Sequence, residues 1–184
     1  VLTGNWGPDA YRFVNALKDA GLKVKLYGIY ISAPSGMAAM DKNLLFNDVI
    51  VVKEFNPTNP NAPSWYKKYE KDIIDATGMT PDGDRFRFML EMFKSAIEKA
   101  NSFEPIDIAY ALEGMEGTSV DGGKIYMRKE DHQIHFDMQA LLVTEKDKQS
   151  IIYRNKDFDM SYKNIGNIPI KDITLDTSCK IKRP

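Results

Sequence analysis

The first nine residues constrain this chain more than any other stretch. Val1-Leu2-Thr3 is strand-like, Gly4-Asn5-Trp6-Gly7 is a tight Gly-x-x-Gly turn carrying a tryptophan, and Pro8-Asp9 opens an amphipathic pattern. A strand that turns on glycine and re-enters as a helix is the joint from which open α/β sheets are built, and such sheets bind ligands outside the carboxyl ends of their strands. The opening also lies inside a structural unit, with no initiator Met, leader or preceding helix. It is the opening expected of the later part of a longer protein.

The pattern downstream continues the same grammar. Ala10, Phe13, Val14 and Leu17 recur at helical spacing, Pro8 suits a first turn, and Gly21 suits the residue that ends a helix. Leu22–Ile31 is a strand candidate, Ser32-Ala33-Pro34-Ser35-Gly36 has the composition of a loop, and 49–55 is a β-branched strand. These 55 residues predict a parallel sheet with covering helices. Asn56–Pro63, with its prolines and asparagines, predicts a linker or crossing segment. Two helices follow, one with Ser64 as N-cap and Gly78 as its stop. The other has Asp84 as a cap and an apolar stripe of Phe86, Met89, Leu90, Phe93, Ala96, Ile97 and Ala100. A short helix is expected over 107–113. Beyond Gly122-Gly123, strands are expected at 124–128, 139–144 and 150–154, and the last thirty residues look irregular. The texture therefore changes from sheet-like to helical to strand-rich, as in a two-lobed protein whose backbone crosses between lobes more than once.

Composition excludes several functions. A net charge of −1 gives no electrostatic reason to expect nucleic acid or an anionic membrane. No apolar run approaches the ~18 residues of a membrane span. Gly-x-Ser-x-Gly and Walker loops are absent, and the opening turn lacks the third glycine of a dinucleotide fingerprint. No catalytic residue and no cofactor are expected, so the chain is not expected to be an enzyme. Asp131, His132, His135 and Asp137 lie within seven residues, yet i and i+3 on a strand face opposite sides, so a metal site is not expected either. The single Cys179 is either a free thiol or half of a bridge to sequence outside this chain.

Small-molecule recognition is what remains. The turn at 4–9 presents backbone N–H groups and a helix N-terminus, which favour a carboxylate. Trp6 offers an apolar face with one donor, and Asn5 offers a donor and an acceptor. Tyr27 and Tyr30 flank the end of the next strand. Gly7, Asn5, Trp6 and Tyr30 are the candidate ligand-binding residues. Each also has a structural alternative: Trp6 under the turn, Tyr30 over the helix, and Asn5 in local backbone bonding.

Several segments together resemble the second lobe of a type I periplasmic binding protein of the branched-chain amino-acid kind, the substrate-binding proteins of ABC transporters. They are Val1–Asp9, Ala20-Gly21-Leu22, Glu54-Phe55, the return segment Ile125–Gln133 and the ending Cys179–Pro184. The resemblance covers the whole chain in order. It implies an α/β fold of the type I class, a parallel-sheet lobe with covering helices in a partial two-lobe architecture. Residues 1–56 would be a second-lobe segment, 57–122 would complete the first lobe, and 123–184 would cross back and end the chain. It further implies a periplasmic location, a small-molecule ligand held by lobe closure, a membrane permease as partner, and a missing N-terminal half. Closure would hinge on crossings near 56–63 and 120–130. A ligand-sensing regulatory domain of the same fold is the alternative. Without that half, the stripe Phe86, Leu90, Phe93 and Ile97 should be exposed, or covered by the missing half or by another copy.

The chain departs from the family in one place. Amino-acid-binding members carry an acid in the loop after the second of these strands, where this chain has Tyr30. A buried ammonium without a strong acceptor is costly. The expected ligand is therefore an aromatic or aliphatic carboxylate, with a branched-chain amino acid as the alternative.

Overall fold

The computed structural model describes residues 1–43, 45–78, 85–145 and 160–178. In chain order these form β1 (Leu2–Thr3), α1 (Gly7–Asp19), β2 (Leu26–Gly28), α2 (Pro34–Lys42), β3 (Val49–Lys53), α3 (Ser64–Thr77), α4 (Arg85–Ala100), α5 (Pro105–Leu112), β4 (Glu116–Thr118), β5 (Lys124–Met127), β6 (Ile134–Phe136), β7 (Met138–Glu145), β8 (Met160–Ile168) and α6 (Ile170–Ile173). They divide into two units, 1–82 with 139–167, and 83–138 with 168–184. The chain passes between the units at 82–83, 138–139 and 167–168.

The first unit is built on a five-stranded sheet in the order β1-β2-β3-β7-β8. β1, β2 and β3 are parallel, and β7 joins β3 antiparallel. The β1–α1–β2–α2–β3 succession is the one the opening residues predict. Ala10 and Val14 of α1 and Met37 and Met40 of α2 are buried with Leu26, Val49, Val51, Leu141 and Val143 in one apolar core. Phe13 and Leu17 pack on its margin, so the helical stripe read from the sequence is the buried face. Gly21 ends α1 at φ 66°, and Gly78 ends α3 at φ 71°. Both adopt the left-handed conformation that glycine reaches without strain.

The sequence-based elements differ from the structure in instructive ways. β2 is confined to Leu26–Gly28, the residues that pair with β1 and β3, and Lys25 just before it places its ammonium 2.7 Å from Asn47 O and from Asp48 Oδ1. The expected loop at 32–36 gives way to α2 at Pro34, since a proline lacks only a donor that a first helical turn leaves unpaired anyway. Ser64 is the first residue of α3, and Pro63 holds the cap position without a side-chain bond. Asn56–Pro63 is folded into the first unit. Asn56 Nδ2 donates to Tyr162 O at 3.0 Å, and Thr58 Oγ1 accepts from Tyr162 N at 2.9 Å and from Ser161 Oγ at 3.2 Å. The polar segment is thus pinned to β8, an element that falls in the stretch expected to be irregular. The segment 57–122 is shared between the two units, with α3 in the first and α4 and α5 in the second. Asp84, 150–154 and Cys179 lie outside the described residues.

The second unit pairs α4 and α5 with the antiparallel sheet β4-β5-β6. Phe88, Met92 and Ile125 form its buried core, with Met127, Ile134 and Phe136 packed against them. The other side of α4 is open, and Phe86, Met89, Leu90 and Phe93 are all exposed. Among the described residues, no helix is long and apolar enough to cross a membrane.

Candidate ligand site at the carboxyl edge of the parallel strands

Three loops leave the carboxyl ends of β1, β2 and β3: Gly4–Trp6, Ile29–Ala33 and Glu54–Pro63. The first runs straight into α1. Thr3 Oγ1 donates to Asn5 Oδ1 at 2.6 Å and accepts from Asn5 N at 3.1 Å, so Thr3 ties the turn to itself. The acceptor of Asn5 is thereby used locally, and its amide N–H groups have no partner among the described residues. Trp6 is the N-cap, extended at φ −146° and without a side-chain cap bond. Its carbonyl accepts from Asp9 N and Ala10 N at 3.2 and 3.3 Å. Gly7 sits at φ 52°, and its N–H, one of the donors a helix cannot satisfy internally, faces no acceptor among the described residues.

The indole of Trp6 is 68% exposed, which removes the reading in which it packs beneath the turn. Tyr30 is 52% exposed in the turn before α2, where its carbonyl accepts from Ala33 N. No ring contact joins Trp6 to Tyr30 among the described residues. Tyr27 lies within β2 and projects from the sheet, so it is not part of the loop cluster. Ser32, in the same loop as Tyr30, has a fully buried hydroxyl with no hydrogen-bond partner among the described residues. The sequence reading passed over it because serine is ordinary in turns. The edge therefore offers N–H donors at the start of a thirteen-residue helix, with an amide and two aromatic faces beside it. Such a helix end suits an anionic group, and the rings suit an apolar body. A separate cavity of about 390 Å³, lined by Leu17, Leu22, Val24, Leu26 and Leu45, opens at the opposite ends of the strands and takes no part in this edge.

The first unit also holds an ionisable group inside an aromatic cluster. On α3, Tyr66 is fully buried, with Phe55 edge-on at 5.3 Å and Trp65 at 5.7 Å. Glu70, one turn on, is 5% exposed. Burial pushes its carboxyl up to about 7, against the opposing pull of the nearby Tyr66 hydroxyl.

The histidine segment in the second unit is a structural network. Arg128 Nε donates to Asp131 Oδ1 at 2.9 Å, its Nη2 pairs with the other oxygen, and Nη1 donates to Leu175 O at 2.7 Å. The guanidinium bond draws the Asp131 carboxyl down to about 2, and the pair raises Arg128 in turn. His132 Nε2 lies 3.0 Å from Glu113, while His135 stacks on Tyr126 and contacts Thr174 Oγ1 at 3.2 Å. Burial, and then the Arg128 charge, lower the His135 imidazole. Asp137 accepts from Ile170 N at 2.8 Å. Arg128, His135 and Asp137 thus strap residues 170–175 onto the small sheet. Among the described residues, no three His, Cys, Asp or Glu side chains gather closely enough to hold a metal ion.

Comparison with known proteins places this architecture. Residues 1–149 match the family model described as periplasmic binding protein. The Leu/Ile/Val-binding protein homolog 4 of Brucella abortus (strain 2308) is 29% identical over 197 aligned positions, covering all of this chain and 44% of the relative. The closed conformation of a leucine-, isoleucine-, valine-, threonine- and alanine-binding protein from Brucella ovis superposes with a TM-score of 0.77 at 25% identity, covering all of this chain and 47% of that one. A solute-binding protein of an ABC transporter from R. palustris, in complex with benzoate, shares the fold at a TM-score of 0.69 and 13% identity, covering 99% of this chain and 46% of that one. The chain spans less than half the length of these relatives. Its sheet order, its helices and a family match over most of its residues agree: the chain belongs to the periplasmic binding protein family and carries that family's type I fold.

Proposed function

We propose that the chain is part of a periplasmic solute-binding protein that captures a small carboxylate with an aromatic or aliphatic body for an ABC importer. One observation carries the ligand class: the α1 N-terminus presents a Gly7 N–H with no acceptor among the described residues beside exposed Trp6 and Tyr30, in loops where 29–33 holds no acid. In this reading Gly7 N–H and Asn5 Nδ2 hold the carboxylate, Trp6 covers the apolar body, and Tyr30 supplies a second face and a hydroxyl. Ligand capture closes the lobes, and the closed form is the one a membrane permease recognises. The family is one of solute binding, and the reading asks no chemistry of these residues beyond recognition.

The relatives named for leucine, isoleucine and valine favour a second reading, a branched-chain amino acid. One titration separates the two. Trp65→Phe leaves Trp6 as the sole tryptophan, because the sequence has two. Saturable quenching by benzoate or 3-methylbutanoate, weakened at least tenfold by Tyr30→Ala and absent with leucine, supports the carboxylate. Tighter binding of leucine refutes it in favour of the second reading. No response to any of the three refutes the site.

A further inference from the structure

The cavity at the amino ends of the parallel strands is lined by chain that overruns the sheet. Leu22-Lys23-Val24-Lys25-Leu26 alternates strictly between apolar and basic residues, yet β2 begins only at Leu26. Such alternation gives Leu22, Val24 and Leu26 one common face, and all three line the cavity. Leu26 is fully buried in the core, Val24 is half-buried at its margin, and Leu22 is 55% exposed. The apolar row thus climbs out of the core and into the hollow. Leu17 of α1 and Leu45 complete the apolar lining, and both pack against the same core. The volume of about 390 Å³ is at the small end of ligand pockets. It has room for roughly a dozen non-hydrogen atoms at about 30 Å³ each.

The polar groups around this lining leave one sign of charge unused. Its charged members are Lys18, Lys23 and Asp48. Asp48 is engaged by the Lys25 ammonium at 2.7 Å. Lys18 and Lys23 are exposed and have no partner among the described residues. Asn43 spends both of its amide N–H donors, on Asn15 Oδ1 at 3.0 Å and Ala39 O at 2.8 Å. The carboxyl ends of α1 and α2 also lie here, and bare helix-end carbonyls would favour a cation. They are largely taken: Leu17 O accepts from Leu22 N, Lys18 O from Gly21 N, and Met40 O from Leu45 N, at 2.9–3.0 Å. What is left for a guest is an apolar floor and two ammonium groups.

We propose that this hollow is a second ligand site, one that takes a small amphipathic anion: an alkyl chain against Leu17, Val24 and Leu45, with a carboxylate toward Lys18 and Lys23. It shares no residue with the Gly4–Gly7 edge and does not rest on the function proposed for that edge. Because the two sites stand at opposite ends of the same strands, one chain can hold both guests at once.

The test titrates sodium octanoate into the 184-residue chain carrying Trp6→Ala, which disables the strand-end edge, and follows the methyl NMR signals of Leu17, Val24, Leu26 and Leu45. These signals should shift saturably. Adding Lys18→Glu/Lys23→Glu should weaken binding about tenfold or more, while the melting temperature stays within about 2 °C, since both lysines are exposed and without partners. Octanol should bind more weakly than octanoate, and octyltrimethylammonium should give no saturation. The proposal is overturned if the four methyl signals do not saturate. It is equally overturned if octanol matches octanoate or the lysine variant changes nothing, which leaves an apolar hollow with no preference for an anion. Tighter binding of the ammonium compound reverses the assigned charge and overturns it too. In the chain with Trp6 intact, an octanoate response confined to Trp6 and Gly7 belongs to the strand-end edge, so the two sites fail or stand separately.

Discussion

Replacing Glu70 by Gln should stabilise the protein, and the gain should depend on pH. The carboxyl is 5% exposed on α3, one turn from a fully buried tyrosine, and burial moves it from an ordinary 4.5 to about 7. Below pH 4.5 it is protonated in the folded and unfolded chain alike and costs nothing. Between 4.5 and 7 the unfolded chain releases the proton while the fold retains it, so stability falls as pH rises. Above 7 both states are ionised and the full cost is present, about 3 kcal/mol for a displacement of this size. Glutamine keeps the volume and cannot ionise. The variant should therefore gain about 3 kcal/mol more over the parent at pH 8 than at pH 4, or about 6–12 °C in midpoint for a chain of this length. Thermal melts in a Trp6→Phe background follow Trp65, which sits edge-on to Tyr66 on the same helix. Because only the difference between variant and parent is read, the other carboxylates cancel. Removing the Tyr66 hydroxyl with Tyr66→Phe should shift the window upward, since that hydroxyl pulls the carboxyl down. An equal variant-to-parent difference at both pH values would falsify the claim that the fold holds Glu70 protonated.

Three further substitutions probe the framework of the site and of the second unit. Gly36→Ala places a Cβ 1.9 Å from the carbonyl oxygen of Ile31. It should cost about 3 kcal/mol or more, seen as a lowered urea midpoint, because backbone cannot yield as a side chain does. Gly7→Ala meets no atom within 4 Å but must adopt φ 52°, so the expected loss is about 1 kcal/mol, from backbone strain alone. Arg128→Gln removes the partner that draws Asp131 down to about 2, and carboxyl NMR should find that group back toward 3.8. The same change breaks the bond to Leu175 O, so limited proteolysis beyond Ile168 should accelerate.

The parts of the fold legible in the sequence are those where local and tertiary signals agree. In α1, Ala10 and Val14 mark the buried face by spacing, and Gly21 marks the stop because its φ of 66° suits no other residue as well. α4 shows the opposite case. The sequence pattern points to a stripe of Phe86, Met89, Leu90, Phe93, Ala96, Ile97 and Ala100, and of these only Ala96 is buried, together with Phe88 and Met92. That helix is apolar on several sides, so the 3.6-residue period cannot choose among them; packing against Ile125 chooses. β4 and β8 were missed for another reason. Glu116-Gly117-Thr118 has no intrinsic strand preference and exists because Lys124–Tyr126 pairs with it. In β8 only Met160, Ser161 and Tyr162 are buried, and the remainder is a polar edge strand that looks irregular when read alone.

The site was legible to the extent that it follows from backbone grammar. A strand, two glycines and a proline fix a helix start at a sheet edge whatever the ligand, which is why α1 begins at Gly7 with Trp6 as its N-cap. Side-chain roles do not follow from grammar. Asn5 reads as a donor and an acceptor, and the Thr3 hydroxyl occupies one of the two lone pairs of its side-chain carbonyl. Donors suit a carboxylate and do nothing for an ammonium. The three loops at this edge contain a single acid, Glu54, which is 8% exposed at the end of β3. For a ligand ammonium to meet a charged acceptor from these loops, that carboxylate would have to leave its buried position, at a cost of the kind that keeps buried charges in place. A carboxylate ligand needs only the Asn5 side-chain amide and helix-end N–H groups that lack acceptors among the described residues. The balance of N–H donors over carboxylates at the strand ends, rather than any one residue, is what supports the proposed carboxylate.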